Sequence, residues 1–406
     1  MANTLAAVNT LARRGHEVTV LSAGADTFEL GIGADWDLVR QVDPRVRVVR
    51  VDQPGGSNDP IINRWPDLLL RYHGEPPQWL KDIDIKMFPE PVNYDWYPAW
   101  LPNAIAAARQ LHDARPFDLV VATILPAVSA GVALSLNATR GVPLVLYERD
   151  SWVFSPFTGE PYEDSPRSRP LLEQVFERAH QVWYINRPIA DLHRREFAPW
   201  AHKIREVRNG WDAEFLPEAV QPRSRKGRDG LVFRYVGTAD PGFPWLFIVE
   251  AWRQARAASP LVGRSRLEFV GVVADFAQKY KPIEFPGPAP RSDLPAIYAD
   301  TDVLLFIKEG GPMATSSKIY EYTATGLPIA SSMAAEHDAR RVLEGRPLWF
   351  DAAEHTPEGL ARALVAAAEH DPTAAELAAA RTHGEAFRRD RTFDAAFQQL
   401  EESLGW

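Results

Sequence analysis

Residues 303–330 constrain the possible fold of this chain more than any other stretch. The apolar run VLLFI at 303–307 is typical of a buried parallel strand. The loop at 308–312 contains two glycines and a proline, which exclude regular structure. Residues 318–325 then read as a helix that Gly326 ends, before a second apolar run begins. The stretch therefore predicts a strand, a loop, a helix and another strand, as in an open α/β sheet.

The loop and the start of this helix carry side chains that suit a phosphorylated ligand. Thr315, Ser316 and Ser317 offer hydroxyls that can cap the helix, and its N-terminal N–H groups attract phosphate. Lys318 adds a cation, and Glu321 can accept hydrogen bonds from ribose hydroxyls. A capped surface helix with a Lys318–Glu321 ion pair, worth roughly a few tenths of a kcal/mol, explains the same residues. The pattern alone does not separate the two interpretations.

Residues 316–329 read SSKIYEYTATGLPI and resemble the donor-site motif of family 4 glycosyltransferases with the GT-B fold. The resemblance is closest to the branch with the pattern S-K-x-x-E-Y-x-A-x-G-x-P. The positions that agree are Ser317, Lys318, Glu321, Tyr322, Ala324, Gly326 and Pro328. The resemblance implies that Glu321 binds the ribose of a nucleotide sugar. It also implies that Ser316, Ser317 and Lys318 hold the diphosphate.

A second part of the resemblance lies before this motif. Residues 231–236 read as a strand that ends at Gly237 and Thr238, and a later strand ends at Gly287. In the family, such loops meet the diphosphate and the base, so Gly237, Thr238 and Gly287 are expected to bind the donor. Family members often carry an arginine and a lysine in the first of these loops, and this chain does not. Lys318 and Arg291 would then supply the positive charge.

A candidate catalytic acid follows the strand predicted at 143–147. The segment ERDSW at 148–152 resembles the family pattern H-D-x-W, with Asp150 matched and Arg149 in place of histidine. The resemblance implies that Asp150 meets the transferred sugar or the acceptor, where it would act with Lys318 in catalysis. Asp150 as an N-cap or as a partner of Arg149 is an equally good interpretation.

The first hundred residues depart from the family. The helix predicted at 3–14 and the strand at 17–22 resemble the segment L-A-x-x-G-H-E-V-x-V-L, which in the family follows another strand and a glycine-rich turn. That first strand is missing here. We expect that translation starts further upstream; an incomplete domain is the alternative. Residues 25–103 are rich in Trp and Tyr with interspersed Arg and Lys. They read either as packing onto the first domain or as an acceptor surface that also contacts membrane headgroups.

Composition excludes several classes of protein. The net charge of −9 argues against a nucleic-acid partner. The chain has no cysteine, which excludes disulfides and thiolate metal sites. No apolar run is long enough to span a membrane, and no signal peptide is visible, so we expect a cytoplasmic protein, with contact at the inner membrane face left open. Because no DxD-like acidic pair precedes the donor loop, we expect no metal and no other cofactor.

The length of 406 residues and the two series of alternating strands and helices predict an α/β protein of the GT-B class. We expect two Rossmann-like domains with parallel sheets that face a cleft. Residues 1–205 would form the acceptor domain and 206–380 the nucleotide-sugar domain, with a helix in 381–406 packing back on the first. The resemblance implies a retaining glycosyltransferase of the hexosyltransferase type, acting on a glycan or lipid-linked acceptor. The alternatives are a non-catalytic binding subunit in glycan assembly and a nucleotide-sugar epimerase.

Overall fold

The structure is a computed structural model of the 406-residue chain. It describes residues 2–24, 39–52, 100–124, 128–149, 151–162, 165–216, 223–239, 243–273, 275–308, 311 and 313–406. The chain divides into two compact units. The first comprises Met1–Arg208 with Phe393–Trp406, and the second comprises Asn209–Thr392.

The first unit contains parallel β-sheet. Strands β1 (Thr19–Ala23) and β2 (Arg47–Val51) form a two-stranded parallel pair. Four further strands form a parallel sheet in the order β3-β4-β5-β6. They are β3 (Val120–Ile124), β4 (Leu144–Glu148), β5 (Gln181–Tyr184) and β6 (Ile204–Glu206). All residues of β4 and β5 are buried, as expected for central strands covered on both faces.

Helices cover the sheet of the first unit. They are α1 (Ala2–Arg13), α2 (Trp100–Ala114), α3 (Val128–Arg140), α4 (Ser165–Arg178) and α5 (Arg187–Glu196). The last helix of the chain, Arg389–Leu404, also contributes to this unit from Phe393 onward. Its residue Phe393 meets Tyr147 edge-on at 5.6 Å between ring centroids, and Phe397 meets Trp183 at 5.4 Å. The apolar face of this helix therefore completes the core on one side of β4 and β5.

The second unit is built on a six-stranded sheet in the order β12-β11-β10-β7-β8-β9, and every pairing is parallel. The strands are β7 (Val232–Val236), β8 (Arg266–Val270), β9 (Glu284–Gly287), β10 (Val303–Lys308), β11 (Ile329–Met333) and β12 (Trp349–Asp351). The prediction of a parallel α/β architecture is confirmed. The strand order reverses between β7 and β10, where such sheets bind ligands.

The continuous apolar run in β10 follows from burial on both faces. Val303, Leu305 and Ile307 point into one core cluster, whereas Leu304 and Phe306 point into the cluster on the opposite face. Alternate side chains of a strand point to opposite sides, so a strand covered by helices on both faces needs no polar residues.

Seven helices of the described part of the second unit cover this sheet. They are α6 (Trp245–Ala258), α7 (Pro260–Gly263), α8 (Leu294–Ala299), α9 (Lys318–Thr325), α10 (Ala339–Leu343), α11 (Pro357–Glu369) and α12 (Ala374–Gly384). The final helix, α13, is the Arg389–Leu404 helix already described. None of the helices among the residues that the structure describes is long and apolar enough to cross a lipid bilayer.

Candidate functional site

At the carboxyl edge of the second sheet, the loops after β7 and β8 approach each other closely. Gly237 follows β7 and Gly271 follows β8, with φ of +134° and +145°. A Cβ atom at Gly271 would lie 2.2 Å from the carbonyl oxygen of Gly237. The bridge between Ala239 and Val273 keeps the two loops side by side. Only glycine permits both this contact and these φ angles, so the two loops can lie directly against each other at these positions.

Lys318 lies across the first of these loops. A Cβ atom at Gly237 would lie 2.0 Å from Cε of Lys318, and Nζ lies 5.3 Å from the centre of the Tyr235 ring, within cation–π range. The first residue of α9 therefore reaches back over the end of β7. The structure brings the predicted residues Gly237 and Lys318 together, and it places a cation above backbone that lacks a basic residue of its own.

The other predicted residues of the donor loops are arranged as follows. Thr238 is exposed, and its carbonyl accepts a hydrogen bond of 2.9 Å from the Tyr235 hydroxyl. Gly287 ends β9, and its carbonyl accepts a bond of 3.0 Å from the Gly271 amide. Gly287 therefore lies on the same edge of the sheet, two strands away from Gly237.

The prediction that hydroxyls cap α9 is wrong for two of the three residues. Ser317 occupies the N-cap position with helical φ and ψ, and its side chain makes no capping hydrogen bond. Thr315 donates a bond of 2.6 Å to Asp338 instead. Because helical backbone at Ser317 turns its hydroxyl away from the first N–H groups, the side chain does not satisfy them. Ser316 is half-buried and Ser317 is exposed at this end of the helix.

Glu321 lies one turn further along α9 and is partly buried. Burial raises the pKa of its carboxyl group, while the nearby Arg291 and Arg389 guanidinium groups act in the opposite direction. The Tyr298 hydroxyl donates a long hydrogen bond of 3.4 Å to its Oε2. A carboxylate that is poorly hydrated and faces positive charge is a strong acceptor for hydroxyl groups. Arg291, proposed from the sequence as a source of positive charge, thus acts close to Glu321.

Helix α9 is fixed to the protein at its middle and at its C-terminal end. The Tyr322 hydroxyl accepts a hydrogen bond from the Val236 amide at 2.7 Å and donates to the Val236 carbonyl at 3.2 Å. At the C-terminal end, buried Arg346 donates to the carbonyls of Leu327 at 2.8 Å and Thr323 at 3.4 Å. Burial lowers the pKa of Arg346 to about 9, so it is still a cation at neutral pH. A cation at a helix C-terminus is favourable for the helix dipole.

Sequence reasoning missed the supporting tyrosines. Tyr322 was part of the family motif but had no assigned role, and Tyr235 and Tyr298 were not selected as functional. Their contacts join residues 86 and 23 positions apart along the chain. Hydrophobic periodicity reports only which face of an element is buried, so it could not show these contacts.

The candidate acid Asp150 lies outside the described residues, but its neighbours are well placed. Glu148, the last residue of β4, is buried and accepts a hydrogen bond of 3.0 Å from the Trp152 amide. On the next strand it pairs with Tyr184. Burial and the adjacent Glu148 raise the pKa of Tyr184 well above its ordinary value. Residues on either side of Asp150, Glu148 and Trp152, are therefore joined to each other at the carboxyl edge of the first sheet.

Ser151 and His193 have the spacing of a nucleophile and its base, with 3.1 Å between Oγ and Nε2. His193 Nδ1 lies 2.8 Å from the Ile189 carbonyl, so it carries the ring proton and Nε2 accepts from Ser151. Burial lowers the pKa of His193 to about 3, which keeps the ring neutral. Ser151 Oγ also accepts from the amides of Val153 and Phe154. Both side chains are buried, and the pair joins the segment after β4 to α5.

Comparisons with known proteins identify the family. Residues 3–210 match the family described as "Glycosyl transferase 4-like domain". The comparison with curated proteins found no significant match. Three similar solved structures share 14–15% identity with the chain, which at this level shows the fold alone.

Sucrose-phosphate synthase from Thermosynechococcus elongatus is 15% identical, with 98% of this chain and 91% of that chain covered and a TM-score of 0.60. A glycosyltransferase from Rickettsia africae ESF-5 is 14% identical, with 99% and 94% covered and a TM-score of 0.61. An α,α-trehalose-phosphate synthase (UDP-forming) from Burkholderia vietnamiensis is 15% identical, with 94% and 96% covered and a TM-score of 0.59. The chain has the GT-B fold of these enzymes. Because the matched residues 3–210 make up just over half of its 406 residues, the chain belongs to the glycosyl transferase 4-like family.

Proposed function

We propose that this protein transfers a sugar from a nucleotide-sugar donor to a glycan or lipid-linked acceptor, with retention of anomeric configuration. The observation that carries the proposal is the position of Lys318 over Gly237, one helical turn from Glu321, at the carboxyl edge of the second sheet. Family membership and a similar structure named as UDP-forming support a nucleotide-linked donor. Retention follows from the resemblance to family 4 enzymes.

Each residue has a role that its surroundings suit. Lys318, Ser316, Ser317 and the first amides of α9 would hold the diphosphate, whose negative charge grows as the glycosidic bond breaks. Gly237, Thr238 and Gly287 would place main chain against the nucleotide. Glu321 would accept hydrogen bonds from the ribose.

Asp150 would orient the transferred sugar or the acceptor hydroxyl. We further propose that transfer needs no metal ion. A lysine and a helix N-terminus can stabilise a leaving diphosphate without one.

The test examines the contact of Lys318 with the diphosphate and the contact of Glu321 with the ribose separately. Wild-type protein is screened by thermal shift with UDP, GDP, dTDP and ADP, and with their common sugar conjugates, and dissociation constants are then measured for the best nucleotide. Lys318→Met should raise the dissociation constant of the nucleoside diphosphate at least about tenfold, because a charge-assisted contact is lost. It should leave the dissociation constant of the corresponding nucleoside monophosphate unchanged. Glu321→Gln should lower the affinity for the diphosphate and for the monophosphate by the same factor, since both nucleotides carry the ribose.

Lys226→Met is the matched control. Lys226 is exposed in the segment that precedes β7, at the opposite edge of the sheet. Lys226→Met should leave the affinities for the diphosphate and the monophosphate unchanged. If Lys318→Met and Lys226→Met behave identically, Lys318 does not bind the diphosphate and the proposed site is wrong.

Product detection separates the proposed transfer from its rivals. Incubation of the best sugar nucleotide with lipid-linked and oligosaccharide acceptors should release the nucleoside diphosphate only when an acceptor is present. Conversion of the sugar nucleotide without any acceptor would indicate an epimerase. Tight binding without turnover over the whole acceptor panel would indicate a binding subunit.

A further inference from the structure

A buried histidine lies beside the loop that joins β10 to α9, here termed the donor loop, and was not selected from the sequence. His337 is 1% exposed and belongs to the segment that follows β11. Strand β11 pairs with β10 in parallel, with Met333 opposite Lys308 at the ends of the two strands. The segment that carries His337 therefore leaves the sheet next to the loop that leads into α9.

The hydrogen bonds of the ring fix its tautomer. His337 Nδ1 accepts a bond of 3.1 Å from the Ala339 amide, so Nε2 carries the proton. Burial lowers the pKa of His337 to about 4, and the nearby Lys308 and Arg340 act in the same direction, so the ring is neutral at pH 7. Within the part of the chain that the structure describes, the buried Nε2 has no hydrogen-bond partner of good geometry.

A hydrogen bond joins the segment that carries His337 to the donor loop. Thr315 Oγ1 donates a buried hydrogen bond of 2.6 Å to Asp338 Oδ2, and Asp338 Oδ1 accepts from Arg341 at 3.1 Å. Thr315 immediately precedes the proposed phosphate-binding serines, and Asp338 immediately follows His337. The Ala314 carbonyl of the same loop faces the ring as a hydrogen-bond acceptor of poor geometry, and this contact acts to raise the pKa of His337. His337 is thus held against the donor loop.

An unpartnered ring nitrogen is not by itself a ligand contact. His355 also has a buried Nε2 without a partner among the described residues. Its Nδ1 lies 2.8 Å from Ser332 Oγ, and its ring stacks on Phe247 at 4.9 Å between centroids. It follows β12, one strand further from the loop. What distinguishes His337 is its connection to the donor loop, which makes His355 a matched control.

Strand order indicates which part of the donor His337 would meet. Along the carboxyl edge, Gly287 ends β9, Gly271 follows β8 and Gly237 follows β7. His337 belongs to the segment after β11, which lies beyond β10. Neighbouring strands are about 4.8 Å apart, so the segment that carries His337 leaves the sheet roughly 10 Å beyond Gly237. If the diphosphate lies at Gly237 and Lys318, with the base toward Gly287, the sugar extends in the opposite direction, toward β10 and β11.

We propose that His337 Nε2–H donates a hydrogen bond to an oxygen of the sugar moiety of the donor, which makes His337 a residue that selects sugar nucleotides over free nucleotides. The inference rests on the proposed function of the same site. Because the ring is almost fully buried, the segment around Ala314 must move aside as the sugar binds. The binding of the sugar is then coupled to a change in the loop that leads to Lys318.

The experiment separates the two ring nitrogens. In His337→Asn the amide oxygen takes the place of Nδ1 and can still accept from Ala339, but the Nε2 donor is lost. In His337→Gln the longer side chain returns an N–H donor near the position of Nε2. For wild type, both variants and His355→Asn, dissociation constants are measured for the best nucleoside diphosphate of the screen and for its sugar conjugate. The constant for the nucleoside diphosphate divided by the constant for its sugar conjugate gives the gain in affinity that the sugar provides.

We expect His337→Asn to reduce this ratio roughly three- to tenfold, the effect of one neutral hydrogen bond, with the affinity for the nucleoside diphosphate within about twofold of wild type. His337→Gln should restore most of the ratio, and His355→Asn should not change it. An unchanged ratio in His337→Asn, or equal losses for both ligands, would overturn the inference. Wild-type protein that binds no nucleotide would instead refute the proposed function, so the two failures are distinguishable.

A measurement on the wild-type protein does not depend on the folding of the variants. With 15N-labelled histidine, the Nε2–H proton of His337 should shift downfield when the sugar nucleotide is added and should not shift with the nucleoside diphosphate. The same shift with both ligands, or with neither, contradicts a contact to the sugar.

Discussion

The hydroxyl of Tyr322 is hydrogen-bonded to both the amide and the carbonyl of Val236, at 2.7 and 3.2 Å. One side chain of α9 thereby anchors the helix to the last residue of β7, immediately before Gly237. Tyr322→Phe would leave both backbone groups without this partner, and we expect the free energy of unfolding to fall by about 1–3 kcal/mol.

Because α9 carries Lys318 and Glu321, the same substitution should weaken nucleotide binding although Tyr322 would not touch the ligand. Urea unfolding and calorimetric titration measure the two effects. Full nucleotide affinity in a clearly destabilised Tyr322→Phe protein would show that the anchor does not position the site.

Glu321→Gln should separate stability from binding. Burial raises the folded-state pKa of Glu321 above its ordinary value of 4.5. The folded state therefore binds the proton more tightly than the unfolded state, and stability falls as pH rises from about 4.5 through the folded pKa. At pH 7 the substitution removes this cost, so its melting temperature should equal or exceed that of wild type while nucleotide affinity drops.

Below pH 4.5 the advantage of Glu321→Gln should disappear, because the carboxyl group is then protonated in both states. A variant that is less stable than wild type at pH 7 would mean that the carboxylate stabilises the fold. Melting curves at pH 4 and pH 7 decide between these outcomes.

Gly271→Ala and Gly287→Ala compare two glycines that both have positive φ. Both have positive φ, +145° and +99°, and both lose about 1–2 kcal/mol from that cause. Only at Gly271 would the new methyl group collide with backbone, 2.2 Å from the Gly237 carbonyl oxygen, whereas nothing lies within 4 Å at Gly287.

We therefore expect Gly271→Ala to be the more destabilising change and to abolish nucleotide binding by displacing the Gly237 loop. Chemical denaturation and thermal shift with the best nucleotide measure both effects. Equal losses from the two substitutions would show that the contact between the loops relaxes easily.

The stability of the first unit should depend on pH through His193. Its pKa is about 3 in the folded protein, against about 6.5 in an unfolded chain. As pH falls below about 6.5, the unfolded state gains a proton that the folded state does not accept until pH 3. Stability is therefore lost as the pH decreases, by about 2 kcal/mol between pH 7 and pH 5.

The variant His193→Gln lacks this titration and should show a smaller loss between pH 7 and pH 5 in urea unfolding. Equal losses in wild type and variant would mean that the ring accepts a proton without disrupting its contacts to Ser151 and Ile189.

Transfer should not depend on a divalent cation. Once a sugar nucleotide and an acceptor have been identified, the initial rate in the presence of EDTA should equal the untreated rate within about twofold, because Lys318 and the N-terminus of α9 carry the charge of the diphosphate. A rate that collapses with EDTA and returns with Mg²⁺ or Mn²⁺ would show that a metal ion has this role.

Local signals in the sequence predicted the elements that carry the site. The helix expected at 318–325 is α9, Lys318–Thr325, because a glycine and a proline mark its end clearly. The strand expected at 17–22 is shifted, to Thr19–Ala23, since nothing in the sequence marks its start. Helix α12 was not predicted separately, because alanines on all its faces leave little periodicity.

Contacts distant in sequence could not be predicted. Gly237 and Lys318 are 81 positions apart, and the sequence contains no sign that the lysine requires a glycine beneath it. The expected serine and threonine caps failed for a related reason. Asp338, from the next segment of the sheet, binds the Thr315 hydroxyl that local reasoning had assigned to the helix.

Arg346 has a consequence for the strength of ligand binding. From its buried position it holds the carbonyls at the far end of α9, while Tyr322 fixes the middle of the helix to β7. A helix restrained in this way changes its orientation little when a nucleotide binds at its first turn. The loss of conformational freedom has then already occurred during folding, so more of the attraction between the first turn and the diphosphate appears as affinity.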